Sequence, residues 1–278
     1  MCRWMAYSGR PILAEDLLFR PEHSLIDQSL HSRLGATTTN GDGFGIGWYG
    51  EGDEPALFKG VDPAWNDRNL REISRQIRTP MFFAHIRAST GTAVQRSNCH
   101  PFRHGRWLWM HNGVVAGFHD LRRDLVMAVD PELFPDIEGT TDSELLFFLA
   151  LTFGLEEDPI PAVERAVGLV EDVAARHGVP HPVQMTVATT DGVGMWAFRY
   201  ASAGQARSLY FSTRVDKLAA LHPEVEVLHE LGTEARFIVS EPLRDLSGAW
   251  NEVPESSCGF VRPGEAEMLP FRPLLAAA

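Results

Sequence analysis

Cysteine is scarce in this chain of 278 residues: Cys2, Cys99 and Cys258 cannot all pair, and no CxxC or Cys/His ladder of zinc-finger spacing occurs. A disulfide scaffold is excluded, and a reducing compartment fits best. Positive charge is short as well. Lys and Arg number 25 against 37 Asp and Glu, a net charge of −12, which is the wrong balance for a generalist binder of nucleic acid or of an anionic membrane. Long apolar runs are missing: the longest, LLFFLALTF from Leu145 to Phe153, falls far short of the roughly 20 residues that span a bilayer. The opening MCRWMAYSGRP lacks the apolar stretch of a secretory signal. Together these absences predict a soluble, cytoplasmic protein with neither nucleic acid nor membrane as partner.

What is present is a large apolar fraction, 44% of residues, enough to bury a sizeable core. Apolar β-like runs occupy Arg3 to Tyr7, Phe44 to Tyr49, Met81 to Ile86 and Arg106 to Met110, and return at Gln184 to Thr189, Met195 to Tyr200, Ser208 to Ser212 and Arg236 to Ser240. Between them lie helical patterns: Asp67 to Ile77 with Asp67 as cap, a helix opening at Thr141 or Asp142 and stopped by Gly154, and Ala162 to Ala175. Strands, then helices, then strands, without regular alternation, predict an α+β layered fold with mainly antiparallel sheets. No repeat or low-complexity linker divides the chain, so residues 1–278 read as a single domain with a loose tail at 275–278. Charge is uneven: residues 1–111 carry +2 and the remainder −14, a division that suits a small anionic substrate held by the first part or merely an acidic, soluble surface.

Candidate chemistry begins at Cys2. Removal of the initiator Met would place a thiol and a free α-amine on one residue, and an amine with pKa near ~7.7–8.0 can take the thiol proton at neutral pH. Arg87 follows an apolar strand in MFFAHIRASTGT, where a guanidinium can grip a carboxylate, although an ion pair within the protein would use it equally well. RWLWMHNGVV ends its strand at His111-Asn112-Gly113, and the Asn amide with the Gly N–H could supply two donors to an oxyanion, or could form a simple turn. Asp142 stands at a helix start in GTTDSE, available to a substrate ammonium group or serving only as a cap. A thiol, a carboxylate-binding Arg, an amine-binding Asp and oxyanion donors make a site for an α-amino acid that carries an amide.

MCRWMAYSG, NGDGFGIGWY, AHIRAST, NCHPF, HNGVV and TTDSE, in this order and spacing, resemble the class II glutamine amidotransferase domain, an N-terminal-nucleophile (Ntn) hydrolase. The resemblance is strongest over residues 1–155, with 156–274 completing the domain, and is closest to the stand-alone YafJ-like group and its relatives, the ergothioneine-pathway γ-glutamyl hydrolases and glutathione-degrading amidotransferase-like proteins. It implies a four-layer αββα sandwich of two mainly antiparallel sheets. It also implies that Cys2 attacks the γ-amide carbonyl, with its own α-amine moving the proton and Asn112 and Gly113 holding the oxyanion. Arg87, helped by Thr90, would hold the substrate α-carboxylate and Asp142 the α-ammonium, while His100 would line the site. Three positions depart from the family pattern. Thr39-Asn40-Gly41 stands where an Arg-Gly pair is common, Ala88 replaces a Trp, and Gly91 replaces a His. A roomier pocket follows, suited to a γ-glutamyl group with a leaving amine bulkier than ammonia. No length remains for a fused synthase, so the resemblance implies either simple hydrolysis or a separate acceptor subunit.

Two other functions compete. A non-catalytic glutamine-sensing or regulatory subunit would keep the pocket without turnover. A metallohydrolase is suggested by His85, His100, His104 and His111, but HExxH spacing is absent and core or turn histidines account better for them. NGDGFGIG lacks the Lys-Ser/Thr of a phosphate-binding loop and reads as a turn with close backbone approach. No cofactor and no metal are expected, and Trp4, Trp48, Trp107 and Trp109 read as core.

Overall fold

Strands buried on both faces are apolar at consecutive positions rather than at alternate ones, and the computed structural model of this chain shows that arrangement. It describes residues 2–34, 39–89, 91–262 and 265–274; the tail expected at 275–278 lies outside them. One sheet has seven strands in the order β11 (Trp250–Glu252), β9 (Tyr210–Ser212), β10 (Arg236–Val239), β1 (Arg3–Leu13), β4 (Arg78–Ile86), β2 (Phe44–Trp48) and β3 (Ala56–Gly60). The second has six: β13 (Glu265–Pro270), β12 (Ser257–Arg262), β8 (Met195–Ala201), β7 (Val183–Thr190), β6 (Trp107–Val115) and β5 (Phe102–His104). Neighbouring strands are antiparallel throughout.

Side-chain alternation assigns the layers. Trp4 and Ala6 of β1, Met81 and Phe83 of β4, Leu108 and Met110 of β6, and Met195 and Ala197 of β8 share one apolar cluster, which is the interior between the two sheets. The intervening residues point outward to helices. Met5 and Tyr7 join Phe82 and Ala84 under α1 (Ala14–Leu18), α2 (Leu25–Leu30), α3 (Arg68–Ser74), α7 (Val215–Leu221) and α8 (Glu226–Leu231). Trp107 and Trp109 join Met185, Val187, Trp196 and Phe198 under α4 (Phe118–Val126), α5 (Asp142–Thr152) and α6 (Pro159–Arg176). The result is the four-layer αββα sandwich. Helix α5 has buried residues at every position from Ser143 to Leu151, so its apolar circumference serves packing alone. No described helix is long and apolar enough to cross a membrane.

Several boundaries move relative to the sequence reading. The strand expected to stop at Met110 continues to Val115, pairing with β7 from Leu108↔Thr190 to Val115↔Val183, so His111, Asn112 and Gly113 belong to a strand and not to a turn. Helix α3 is capped by Asp67, whose Oδ1 accepts the Leu70 N–H at 2.7 Å, but ends at Ser74, as β4 begins at Arg78. Helix α6 starts three residues early, at Pro159, because a proline at the first helical position forfeits no intrahelical bond.

Candidate active site

Antiparallel pairing brings the start of β1 beside the end of β4, with Arg3 opposite Ile86, and the start of β2 beside the same end, with Phe44 opposite Ile86. One step further along, Cys2 lies next to the segment after β4: its Sγ is 3.4 Å from the Ala88 N–H donor and 3.5 Å from the Ala88 carbonyl oxygen. Cys2 continues the alternation of Trp4 and Ala6, and Asn112 continues that of Leu108 and Met110, so both face the space between the sheets at its open end. There, Cys2, Arg87, His100, Asn112, Gly113 and Asp142 line one cavity of about 410 Å³, within the usual range of small-molecule sites. The structure thus brings together six of the seven expected site residues. Thr90 lies outside the described residues.

Arg87 is 3% exposed, and its guanidinium reaches only uncharged acceptors: the Thr92 hydroxyl at 2.6 Å, the Ser89 hydroxyl at 3.2 Å and the Asp42 carbonyl at 3.4 Å. No carboxylate of a described residue pairs with it, which removes the internal ion pair as its explanation. A buried cation held in place without a counter-charge is prepared for an anion. The glycine-rich turn shapes this corner, since the Asp42 carboxylate accepts the Ser89 N–H at 2.7 Å and Gly43 takes a φ of 110°. The close backbone approach is at Gly45, where a Cβ would lie 2.2 Å from the His100 carbonyl oxygen.

Asp142 is not the helix cap. Thr141 is, its hydroxyl accepting the Glu144 N–H at 3.1 Å. Asp142, the first helical residue, accepts the Val115 N–H at 2.8 Å and the Ser143 hydroxyl at 3.2 Å, with no cation of a described residue beside it. Its helix is anchored from behind: Glu144 accepts the Glu138 and Gly139 N–H groups at 3.1 and 2.7 Å, and Asn98 clasps Thr140 through its own amide. Asn112 is 3% exposed and its side-chain amide makes no hydrogen bond to a described residue. At Gly113 a Cβ would come within 2.0 Å of the Gln184 carbonyl oxygen and 2.4 Å of His111 Nε2, so only glycine fits there.

The histidines form a floor. His85 and His100 stack with ring centroids 4.1 Å apart, and neither ring nitrogen of either has a hydrogen-bond partner among the described residues. Burial, partly offset at His85 by the His111 backbone and reinforced by Arg87 and Lys59, lowers the His85 pKa to about 3 and takes His100 well below the ordinary value. His111 holds the Ser143 hydroxyl at 2.7 Å through Nδ1 and is lowered by burial too. His104 turns away to Asp136, 3.3 Å distant. Among the described residues no three His, Cys, Asp or Glu side chains converge as a metal site, so the four histidines do not make the constellation a metallohydrolase would need.

Two features were not read from the sequence. Arg3 locks the start of β1 beside Cys2: its Nη1 donates to the Cys2 carbonyl at 2.8 Å and its Nε to buried Glu241 at 2.8 Å. Arg207, from the segment between β8 and β9, lines the cavity with Cys2. It sits in a polar stretch, QARS, whose pattern holds no sign of a site.

Comparisons with known proteins identify the family and the fold. Residues 21–268 match the family described as glutamine amidotransferases class-II, a span that includes Arg87, Asn112, Gly113 and Asp142 but starts beyond Cys2. A Saccharomyces cerevisiae protein named as the probable glutamine amidotransferase DUG3 is 33% identical, covering 92% of this chain and 80% of its own length. A γ-glutamyl-hercynylcysteine sulfoxide hydrolase from Mycolicibacterium smegmatis is 26% identical over 98% of this chain and all of its own. Among solved structures, a glutamine aminotransferase class-II domain protein from Silicibacter pomeroyi superposes with a TM-score of 0.75 at 32% identity, covering 98% of this chain and 100% of that one. The glutamine phosphoribosylpyrophosphate amidotransferase of B. subtilis shares the fold, with a TM-score of 0.66 at 14% identity over 99% of this chain and half of its own.

Proposed function

Because this chain belongs to the class-II glutamine amidotransferases, we propose that it cleaves the γ-amide of glutamine or of a γ-glutamyl compound through a thioester on Cys2, releasing glutamate and ammonia or an amine. The observation that carries this reading is one cavity in which the Cys2 thiol meets a guanidinium, Arg87, and a carboxylate, Asp142, neither of which has an opposite charge paired with it among the described residues. The two charges match the α-carboxylate and α-ammonium of a γ-glutamyl group, and fixing both leaves the γ-carbonyl to the thiol. Once Met1 is removed, the Cys2 α-amine takes the thiol proton as Sγ attacks the carbonyl carbon. The Asn112 amide and the Gly113 N–H hold the oxyanion of the tetrahedral intermediate. Its collapse breaks the C–N bond, the proton passes to the departing nitrogen, and water then hydrolyses the thioester to glutamate and the free thiol. His100, neutral and stacked under the cavity, supports the wall and takes no proton.

This chemistry needs Cys2 as a free thiol, a state that a reducing, cytoplasmic setting would maintain, and all three cysteines are unpaired with one another. The whole chain acts as one unit in this reading, with water as the acceptor of the acyl group. A separate subunit that takes up the ammonia would instead make glutamate release depend on its presence.

The test combines intact mass with product analysis. Protein lacking Met1 should release glutamate from glutamine or from γ-glutamyl amides, and Cys2→Ala should lower kcat by about 10³-fold or more while calorimetry still detects substrate binding. Full activity in that variant would sink the mechanism. Binding without product in protein that carries a free Cys2 amine would favour the sensing subunit.

A further inference from the structure

The cavity holds more positive charge than a γ-glutamyl group needs. Among the described residues three guanidiniums line it, Arg87, Arg122 and Arg207, against one carboxylate, Asp142, in a chain whose net charge is −12. Arg87 and Asp142 are matched by the α-carboxylate and α-ammonium, which leaves two cations. Arg122, on α4, is exposed at the mouth. Arg207 lies deeper: its Nε is buried with no hydrogen-bond partner, and no described carboxylate pairs with its guanidinium. Burial lowers its pKa from the ordinary arginine value, with Arg3 acting the same way and the Cys2 thiol acting against it.

The segment that carries Arg207 is fixed on both sides. The Ala206 N–H donates to Glu255 at 3.0 Å, and the Ser208 hydroxyl donates to the Ser240 carbonyl at 2.8 Å. Arg207 is therefore presented to the cavity by its neighbours in sequence and has not collapsed onto it. The wall near the nucleophile is low as well, since Ala88, Gly91 and Ala93 line it with little side chain.

Resting on the function proposed above, we infer that Arg207 is a specificity residue that binds a carboxylate on the leaving amine, so that the preferred substrates are γ-glutamyl amino acids or short γ-glutamyl peptides rather than glutamine. Such a substrate places its γ-amide at Cys2, its glutamyl end on Arg87 and Asp142, and its far carboxylate on the remaining guanidinium. The reaction is otherwise unchanged: the amide C–N bond breaks, the nitrogen departs as the amine of an amino acid or peptide, and water completes the hydrolysis. A site that desolvates a cation for one partner discriminates against the analogue lacking that partner, because the cation is then left unpaired.

The experiment compares matched pairs on the full chain with Met1 removed: γ-glutamyl-alanine and γ-glutamyl-leucine against their C-terminal carboxamides, with glutamine as a third substrate. The free acids should exceed the carboxamides in kcat/KM by about 10- to 100-fold. Arg207→Gln should bring that ratio close to one, and Arg207→Lys should restore part of it. Equal turnover of acid and carboxamide by the unaltered protein would overturn the inference and leave the proposed function standing, and this arm depends on no variant. A ratio unchanged in Arg207→Gln, or equal losses on acid, carboxamide and glutamine, would also overturn it, the latter by assigning Arg207 to the α-carboxylate. Failure to cleave any γ-glutamyl compound would remove the proposed function and this inference together.

Discussion

At the scale of single residues, the site depends on polar groups buried with few partners, and these leave a pH signature. His85 titrates near pH 3 in the folded protein against 6.5 in the unfolded chain, with burial as the chief cause. The unfolded state therefore takes up a proton that the folded state refuses as the pH drops below 6.5. The associated stability is complete above that pH and is lost as the pH falls toward 3. Each such group adds a slope of about 1 kcal/mol per pH unit in this window. The denaturant midpoint should fall between pH 7 and pH 5.5, above the range in which most carboxylates titrate. His85→Gln should flatten that slope by about one proton whatever its effect on absolute stability. An unchanged slope would mean that His85 is protonated in the folded protein and has a partner.

At the scale of elements, α5 shows how a packing helix carries a carboxylate to the cavity. Its apolar body is immobilised between α6 and β6, and its first turn carries Asp142, aimed by the Thr141 cap and the Glu144 clasp. Thr141→Ala should lower stability by about 1 kcal/mol and raise KM for the γ-glutamyl substrate more than it lowers kcat, while Thr141→Ser keeps both. A denaturation curve with steady-state kinetics checks this, and a fall in kcat alone would contradict the assignment of Asp142 to substrate binding. This helix was legible because a hydroxyl cap, early acids and a glycine stop at Gly154 occur together. Strand β6 was legible only in part: Asn112 and Gly113 are poor strand formers, and their place in the ladder comes from pairing with Thr186 and Met185, which local sequence does not encode. The amphipathic α4, the hairpin of β12 and β13 and the short α7 and α8 passed unread. Exposed charges such as Glu265 and Glu267 on an edge strand mask the two-residue period, as edges commonly do. Arg207 escaped for a related reason, since its place at the cavity comes from where its segment is pinned and from no pattern in that segment.

At the scale of the whole molecule, the two halves of the sequence do not form separate layers. Strands β9, β10 and β11 complete the sheet that β1 to β4 begin, and β7, β8, β12 and β13 complete the sheet of β5 and β6. Chemistry from the first half therefore depends on scaffolding from the second, and Glu241 is where that dependence concentrates. Although 2% exposed, its carboxylate accepts Arg3 Nε at 2.8 Å, the Arg33 and Leu34 N–H groups at 2.9 Å each, and the His23 ring. Burial alone would raise its pKa, but these donors outweigh burial and hold it below the ordinary glutamate value. The carboxylate after β10 thus fixes β1 and, through Arg3, the carbonyl of Cys2. Glu241→Gln keeps the shape but removes the charge that the Arg3 guanidinium, the Arg33 and Leu34 N–H groups and the His23 ring all meet, at a cost of about 3 kcal/mol or more. The expected outcome is a lowered denaturant midpoint together with a reduced kcat, because Cys2, the proposed nucleophile, loses its anchor though Arg87 and Asp142, the proposed substrate contacts, remain in place. A variant as stable as the parent would show that Arg3 finds another counter-charge. A loss of stability with kcat intact would show that the position of Cys2 is set by its strand neighbours alone.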